Sequence, residues 1–164
     1  MKTFLAWSSA LLILFLCSCA RSPDSGEQAE SPTTLVTEGY DEQEMQAAIA
    51  RAKKEVDAFI AEFTEGDGSD FSVKAPIEDQ GDTEHFWLTH ITYRDGLFEG
   101  VIGNDPGIVS NVRIGQKWTI KKEDISDWMY MRDGKIHGNY TMRPLLKTMP
   151  EQQAAQLRSM LAEP

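Results

Sequence analysis

The fold is decided by the stretch Trp87-Leu-Thr-His-Ile-Thr-Tyr-Arg-Asp-Gly-Leu-Phe-Glu-Gly-Val-Ile102. Two strand-like runs flank Asp95-Gly96, and an Asp-Gly pair is a strong signal for a two-residue type I′ turn, because both central residues need a positive φ. A tight turn fixes which residues face each other. The predicted pairs are Tyr93 with Phe98, Thr89 with Ile102, and Trp87 with Asn104. The hairpin then has one apolar face, formed by Trp87, Ile91, Tyr93, Phe98 and Ile102.

A second hairpin is predicted around Asp133-Gly134, with Tyr130 facing His137. Residues 116–121 alternate apolar and polar side chains, which is typical of a further half-buried strand. Residues 71–77 alternate in the same way, and Pro76 favours an edge position for that strand because proline cannot donate to a ladder.

Helices flank these strands. Apolar residues recur every three or four positions between Asp41 and Phe63, which predicts an amphipathic helix that ends at Gly66 and packs on the domain's own sheet. A short final helix is predicted after a capping box formed by Thr148 and Glu151. The elements predict an α+β domain: a curved antiparallel sheet of about five or six strands, open or closed into a partial barrel, with a long helix before it and a short one after.

The first 18 residues have the pattern of a signal peptide. A charged start, Met1-Lys2, precedes an uncharged apolar run of roughly 14 residues, shorter than the ~20 that a membrane-spanning helix needs. Leu16-Cys-Ser-Cys19 resembles the lipobox of bacterial lipoproteins, which implies that Cys19 receives the lipid and becomes the first residue. Residues 19–40 are then a lipidated cysteine and a flexible tether rich in Ser, Pro and Glu. Residues 41–164 form the single domain.

Composition excludes several functions. The two cysteines, Cys17 and Cys19, both lie in the lipobox, so the domain has no thiol for a disulfide, a metal or a nucleophile. The net charge of −10 argues against nucleic acid and against electrostatic binding to anionic lipid, so membrane contact is expected through the lipid. Ala20 is not the Asp that commonly retains lipoproteins in the inner membrane. The expected location is therefore the cell envelope, facing the periplasm, with the outer membrane favoured.

Four segments resemble one family. They are Phe71-Ser-Val-Lys74, Glu84-His-Phe-Trp-Leu88, Phe98-Glu-Gly-Val-Ile-Gly-Asn-Asp-Pro106 and Ile125-Ser-Asp-Trp-Met-Tyr130. Over about residues 42–146 the chain resembles the YegJ-like proteins, known as domain of unknown function 2314. The resemblance implies no activity and no catalytic residue.

Candidate functional residues gather at the far end of the first hairpin. Trp87 is expected beside Asn104, so His85, Trp87, Asn104 and Asp105 form a predicted polar rim. Asp127 and Trp128 add a carboxylate beside an aromatic ring. Each has a structural interpretation too: Asp127 is expected to accept hydrogen bonds from loop amides, and Ser126 to serve a turn.

Two classes of function follow. The first is a noncatalytic envelope module that binds another protein or a small ligand, which the missing catalytic motifs favour. The second is a small periplasmic hydrolase or metal-dependent enzyme using His85 with Asp105 or Asp127. No cofactor is implied, and three scattered histidines do not predict a metal site.

Overall fold

The computed structural model of the protein describes residues 39–163. The predicted signal peptide, Cys19 and nearly all of the tether lie outside these residues. Between residues 39 and 163, no helix has the length and apolar character needed to cross a membrane. The described residues include all but the last residue of the predicted domain, 41–164.

Helix α1 spans Glu42–Glu65. The Asp41 carboxylate accepts hydrogen bonds from the amides of Gln43 and Glu44 at 2.8 and 3.1 Å, which satisfies donors that a helix start leaves open. The helix ends at Gly66, as predicted. Its buried residues are Ala52, Val56 and Phe59. These buried residues pack on the sheet, as predicted, and the centroid of the Phe59 ring lies 5.1 Å from that of Trp128.

Six strands follow the helix: β1 (Ser69–Asp79), β2 (Asp82–Arg94), β3 (Leu97–Ile102), β4 (Lys117–Lys121), β5 (Asp127–Arg132) and β6 (Lys135–Gly138). They form one antiparallel sheet in the order β4-β3-β2-β1-β5-β6. The α+β prediction is confirmed. The sheet is open, with β4 and β6 at its edges, so closure into a partial barrel is wrong.

The position of β1 differs from the prediction, because this strand is central, between β2 and β5. Its pairing with β5 ends at Lys74 and Asp127. Alternate residues of a strand direct their N–H and C=O groups to the same side. Pro76 therefore faces β5, as Lys74 does, but it lies beyond the last residue pair that β1 forms with β5. The missing N–H of Pro76 therefore removes no ladder hydrogen bond.

Both predicted Asp-Gly turns are confirmed. The φ angles are 50° and 80° at Asp95 and Gly96, and 52° and 71° at Asp133 and Gly134. Tyr130 pairs with His137, as predicted. A third turn, at Gln80 and Gly81 with φ of 54° and 98°, joins β1 to β2 and was not predicted.

A β-bulge in β2 changes the register of the first hairpin. Tyr93 pairs with Phe98 as predicted, but the register shifts between Thr89 and Thr92, so Thr89 pairs with Val101 instead of Ile102. One extra residue on a strand reverses which face its neighbours occupy. Trp87 therefore lies on the face opposite the core, and the prediction that it shares a face with Ile91 is wrong.

Two helices close the domain: α2 (Met142–Leu146) and α3 (Glu151–Met160). The short final helix is confirmed, but its capping box is not, since α3 has no side-chain cap and the Thr148 hydroxyl donates to the carbonyl of Leu145 at 2.9 Å. A small second core lies here, formed by Leu146, Ala154 and Leu161, with Ile136 of β6 packed against it.

Candidate functional site

The polar site lies on the sheet face opposite α1. Lys74 of β1 pairs with Trp87 on one side and with Asp127 on the other, so the three side chains share a face. His85 lies two residues before Trp87 and therefore joins them. The residues that flank Lys74 and Trp87 along their strands are buried on the core face: Val73, Ala75, Phe86 and Leu88. We call Lys74, His85, Trp87, Ser126, Asp127 and Thr141 the open-face cluster.

Asp127 lies at the bottom of this cluster and is fully buried. Its Oδ1 accepts hydrogen bonds from the amides of Trp128 and Tyr140, at 2.9 and 3.1 Å. Its Oδ2 accepts from the amide and the hydroxyl of Thr141, at 2.8 and 2.6 Å. Four donors on one carboxylate satisfy a buried charge and fix its orientation. The expectation that Asp127 accepts bonds from loop amides is confirmed.

Lys74 is held between an aromatic ring and a hydroxyl. Its Nζ donates to Thr141 Oγ1 at 2.6 Å, and the same hydroxyl donates to Asp127, so Thr141 links the cation to the carboxylate. The Nζ also lies 4.6 Å from the centroid of the Trp87 ring, within range of a cation–π interaction. Burial lowers the pKa of Lys74, and the opposing charge of Asp127 limits the decrease.

His85 meets Ser126 at the edge of the cluster. Its Nδ1 lies 2.8 Å from Ser126 Oγ, and the Ser126 hydroxyl donates to the carbonyl of Lys74 at 3.3 Å. Much of the His85 side chain is exposed, whereas Ser126 is buried. Loss of hydration lowers the pKa of His85, and the positive charge of Lys74 lowers it further. The neutral ring is thus the favoured form near neutral pH.

The other predicted rim residues are dispersed. Trp128 is on the core face and donates from Nε1 to the carbonyl of Ala52 at 2.9 Å, so its pairing with Asp127 as a binding platform is wrong. Asn104 is buried and accepts from the amide of Trp87 at 3.0 Å, which positions that strand. Asp105 is exposed in the loop after β3. The structure brings His85, Trp87 and Asp127 into one cluster, without Trp128.

Glu84 is a buried carboxylate that sequence reasoning missed. It accepts hydrogen bonds from the amides of Gly107, Ile108 and Val109, at distances of 2.8 to 3.1 Å. The loop between β3 and β4 is thereby fastened to β2. A glutamate in a strand pattern is ordinarily interpreted as a surface residue. The amides that donate to Glu84 are more than 20 positions away, so the local sequence does not indicate its burial.

The cluster offers a cation, an imidazole and an indole on a surface, supported by a buried carboxylate. Among the described residues, no three His, Cys, Asp or Glu side chains come together as a metal site would require. Lys74 and Thr141 were missed as site residues. Lys74 showed only the ordinary alternation of a half-buried strand, and Thr141 had no signal until β5 and the chain after β6 were brought together.

The fold and the cluster define an α+β protein with a pre-organised polar site on the open face of an antiparallel sheet. The chain belongs to a family of uncharacterised proteins conserved in bacteria, DUF2314, whose model matches residues 42–161. The predicted resemblance is confirmed, and it extends beyond residue 146 to include the final helix.

The chain is similar in sequence to two further proteins. The chain is 59% identical over 133 residues to the uncharacterised protein YegJ of Escherichia coli strain K12, covering 81% of this chain and 87% of that protein. It is 36% identical over 86 residues to a putative ankyrin repeat protein of Neisseria meningitidis serogroup B, covering 49% of this chain and 34% of that protein. No solved structure matches the chain.

Proposed function

We propose that this chain is a lipid-anchored protein of the bacterial cell envelope whose domain faces the periplasm and binds a partner noncatalytically through the open-face cluster. The partner is an envelope protein or a small ligand. Cys19 carries the lipid, residues 20–40 hold the domain away from the membrane, and the outer membrane is the favoured location. The lipobox-like Leu16-Cys-Ser-Cys19 supports the anchor.

The observation that carries the binding role is the position of Lys74. A half-buried ammonium group costs solvation free energy, and apolar residues of similar volume often replace buried ion pairs without loss of stability. Here the cation is fixed by Thr141 and Trp87 on the face away from the core. Such an arrangement suits recognition, because the side chains are already ordered before a partner arrives.

The hydrolytic alternative has weaker support. Both oxygens of Asp127 are occupied by main-chain and hydroxyl donors, so it is not placed to orient His85. The Ser126–His85 contact has the distance of a nucleophile and base, but the single proton of the Ser126 hydroxyl is donated to the carbonyl of Lys74. Ser126 is also only 3% exposed, which leaves little access for a substrate. Ester turnover abolished by Ser126→Ala, in a variant of unchanged stability, would favour hydrolysis over binding.

Crosslinking in the native envelope tests the proposed function. The lipidated protein, expressed at its natural level, is crosslinked and compared with Cys19→Ala and with Trp87→Ala. We expect a crosslinked species that depends on both residues, and we expect Cys19→Ala to lose incorporation of labelled palmitate and to leave the membrane fraction. Met160→Ala, which changes an exposed apolar residue on α3, is the matched control and should retain the crosslink.

Capture that is equal in the wild type and in Trp87→Ala would contradict the binding role of the cluster. Retention of the label and of membrane association in Cys19→Ala would contradict the anchor. The two parts of the proposal are therefore tested separately.

A further inference from the structure

The two central strands separate at one end of the sheet. The pairing of β1 with β2 runs from Asp79 and Asp82 to Val73 and Leu88, and no ladder pair between these strands is formed beyond that point in the described chain. Both strands continue, however, for several residues. A cleft of about 430 Å³ opens between them. Its volume is in the range of sites that bind small ligands.

This β1–β2 cleft has an apolar floor and polar walls. The floor is formed by Phe63 of α1 with Phe71 and Ile91. The walls carry Asp70 and Ser72 on β1, and Thr89 and His90 on β2. The apolar part comes from the core face, which the parting of the strands leaves accessible. The cleft is thus distinct from the open-face cluster, which lies on the paired part of β1 and β2.

Each wall contains a residue with a left-handed backbone. The φ angle is 52° at Asp70 and 50° at His90. This conformation costs roughly 1–2 kcal/mol for a residue with a side chain, and such residues are often found at functional sites. Both irregularities coincide with register shifts, against β5 on one side and β3 on the other. The separation of the strands is therefore built into the backbone from both sides.

The walls present main-chain groups suited to an extended chain. Ser72 turns its amide toward β5 and Thr89 turns its carbonyl toward β3, so the carbonyl of Phe71 and the amide of His90, on the other side of the same peptide groups, turn toward the gap. A peptide in the cleft could bond to a strand edge on either side, as in recognition by strand addition.

The mouth of the cleft is acidic. An adjoining hollow of about 340 Å³ shares Asp70 and is also lined by Asp67 and Asp133. Among the described residues that line this hollow the cation is Arg132, which is paired with Glu62 at 2.9 Å and lies 3.9 Å from Asp67. A basic side chain is the complement of this surface.

We infer that the β1–β2 cleft is a second binding site, which takes an extended peptide segment with an apolar side chain for the floor and an adjacent Lys or Arg for the acidic mouth. The apolar side chain contacts Phe63, Phe71 and Ile91. The peptide main chain bonds to the strand edges, and the basic group meets Asp70.

The test uses full-length protein in detergent and the probe peptide acetyl-Lys-Val-Phe-Val-Lys-amide, followed by two-dimensional NMR of the backbone amides. We expect the amide signals of residues 70–72 and 89–91 to shift. Methylation of two peptide amides should weaken binding about tenfold or more, because main-chain hydrogen bonds are lost. Asp70→Asn, which tolerates positive φ, should weaken it about two- to fivefold through the loss of one exposed charge.

Asp95→Asn is the matched control, because Asp95 is also an exposed aspartate with a φ of 50° but lies in the β2–β3 turn. It should leave the affinity unchanged. Equal affinity for the peptide with Glu in place of both Lys residues would overturn the inference. So would undiminished binding of the methylated peptide, shifts confined to Lys74 and Trp87, or the absence of binding.

Discussion

At the scale of single residues, the buried carboxylate of Asp127 connects stability to the candidate site. Its four hydrogen bonds fasten the start of β5 to the chain after β6, and through Thr141 they orient Lys74. Removing the carboxylate leaves three amides and a hydroxyl without their hydrogen-bond acceptor and leaves the half-buried Lys74 cation without a nearby negative charge.

Asp127→Ala should therefore lower the free energy of unfolding by about 3–5 kcal/mol, the loss typical of breaking a buried charged network. Denaturant unfolding measures the change. Asp124→Ala, at an exposed position three residues earlier, is the control and should change stability by less than about 0.5 kcal/mol. A loss below about 1 kcal/mol for Asp127→Ala would mean that the network does not hold this end of the sheet.

The environment of His85 should make the stability of the fold depend on pH. Burial, with a further contribution from Lys74, lowers its pKa below the usual 6.5, so the unfolded chain binds the proton more tightly than the folded chain. The stability contributed by neutral His85 is therefore complete above about pH 6.5 and is lost as the pH falls below that value. Because His85 as a whole residue is partly exposed, the loss should be small.

An NMR titration of the His85 ring should give a pKa below 6.5. Lys74→Met should raise that pKa, because it removes a nearby positive charge, whereas Lys117→Met, at an exposed lysine of β4, should not. A His85 pKa that is the same in the wild type and in Lys74→Met would show that the two side chains do not interact.

Residue chemistry was only partly predictable from the sequence. His85 and Trp87 are expected on one face because alternate residues of a strand share a face, whereas their closeness to Asp127 depends on the strand order and could not be predicted. Trp128 was misplaced because an aromatic next to a carboxylate looks like a platform, although alternation along β5 sends the two side chains to opposite faces.

At the scale of elements, turns were predictable and irregularities were not. The two Asp-Gly turns follow from the local need for positive φ. The β2 bulge has no such signal, because only a small fraction of histidines adopt a positive φ, and nothing next to His90 in the sequence marks it as one of them. A single extra residue reversed the faces of His85 and Trp87, which placed them on the open face.

Gly138, at the end of β6, provides a test of the packing between elements. Its φ is 76°, and an added Cβ would overlap the carbonyl oxygen and ring of Trp128. Gly138→Ala should therefore cost more than the ~1–2 kcal/mol of backbone strain alone. Gly81→Ala is the matched control, since its φ is 98° but open space surrounds the new methyl group.

Thermal or denaturant unfolding of the two variants separates the contributions. We expect Gly138→Ala to lose more free energy of unfolding than Gly81→Ala by at least about 1 kcal/mol, because a clash in a packed core adds to the strain. Equal losses would show that the contact between β6 and Trp128 is looser than the structure has it.

At the scale of the whole molecule, the strand order could not be predicted from the sequence. Adjacent hairpins could be paired by counting, but the insertion of β1 between β2 and β5 depends on contacts between residues more than 50 positions apart. That topology creates the open-face cluster, because it sets Lys74 between Trp87 and Asp127. It also explains why Pro76, read as an edge signal, was misleading.

The proposed organisation assigns a separate task to each part of the chain: a lipid on Cys19, a spacer, and a domain whose helix covers one sheet face and leaves the other for a partner. The central claim is that this open face is where the partner binds. A crosslinker placed on it should therefore capture the partner selectively.

Site-directed photo-crosslinking in the native envelope tests this claim most directly. A photoreactive amino acid replaces either Thr83, an exposed residue two positions before His85 and beside the cluster, or Arg94, an exposed residue at the far end of β2 on the same face. We expect one discrete crosslinked species from position 83, absent from position 94 and lost when Lys74→Met is added. Equal capture from both positions, or capture from position 83 that persists without Lys74, would contradict the proposal.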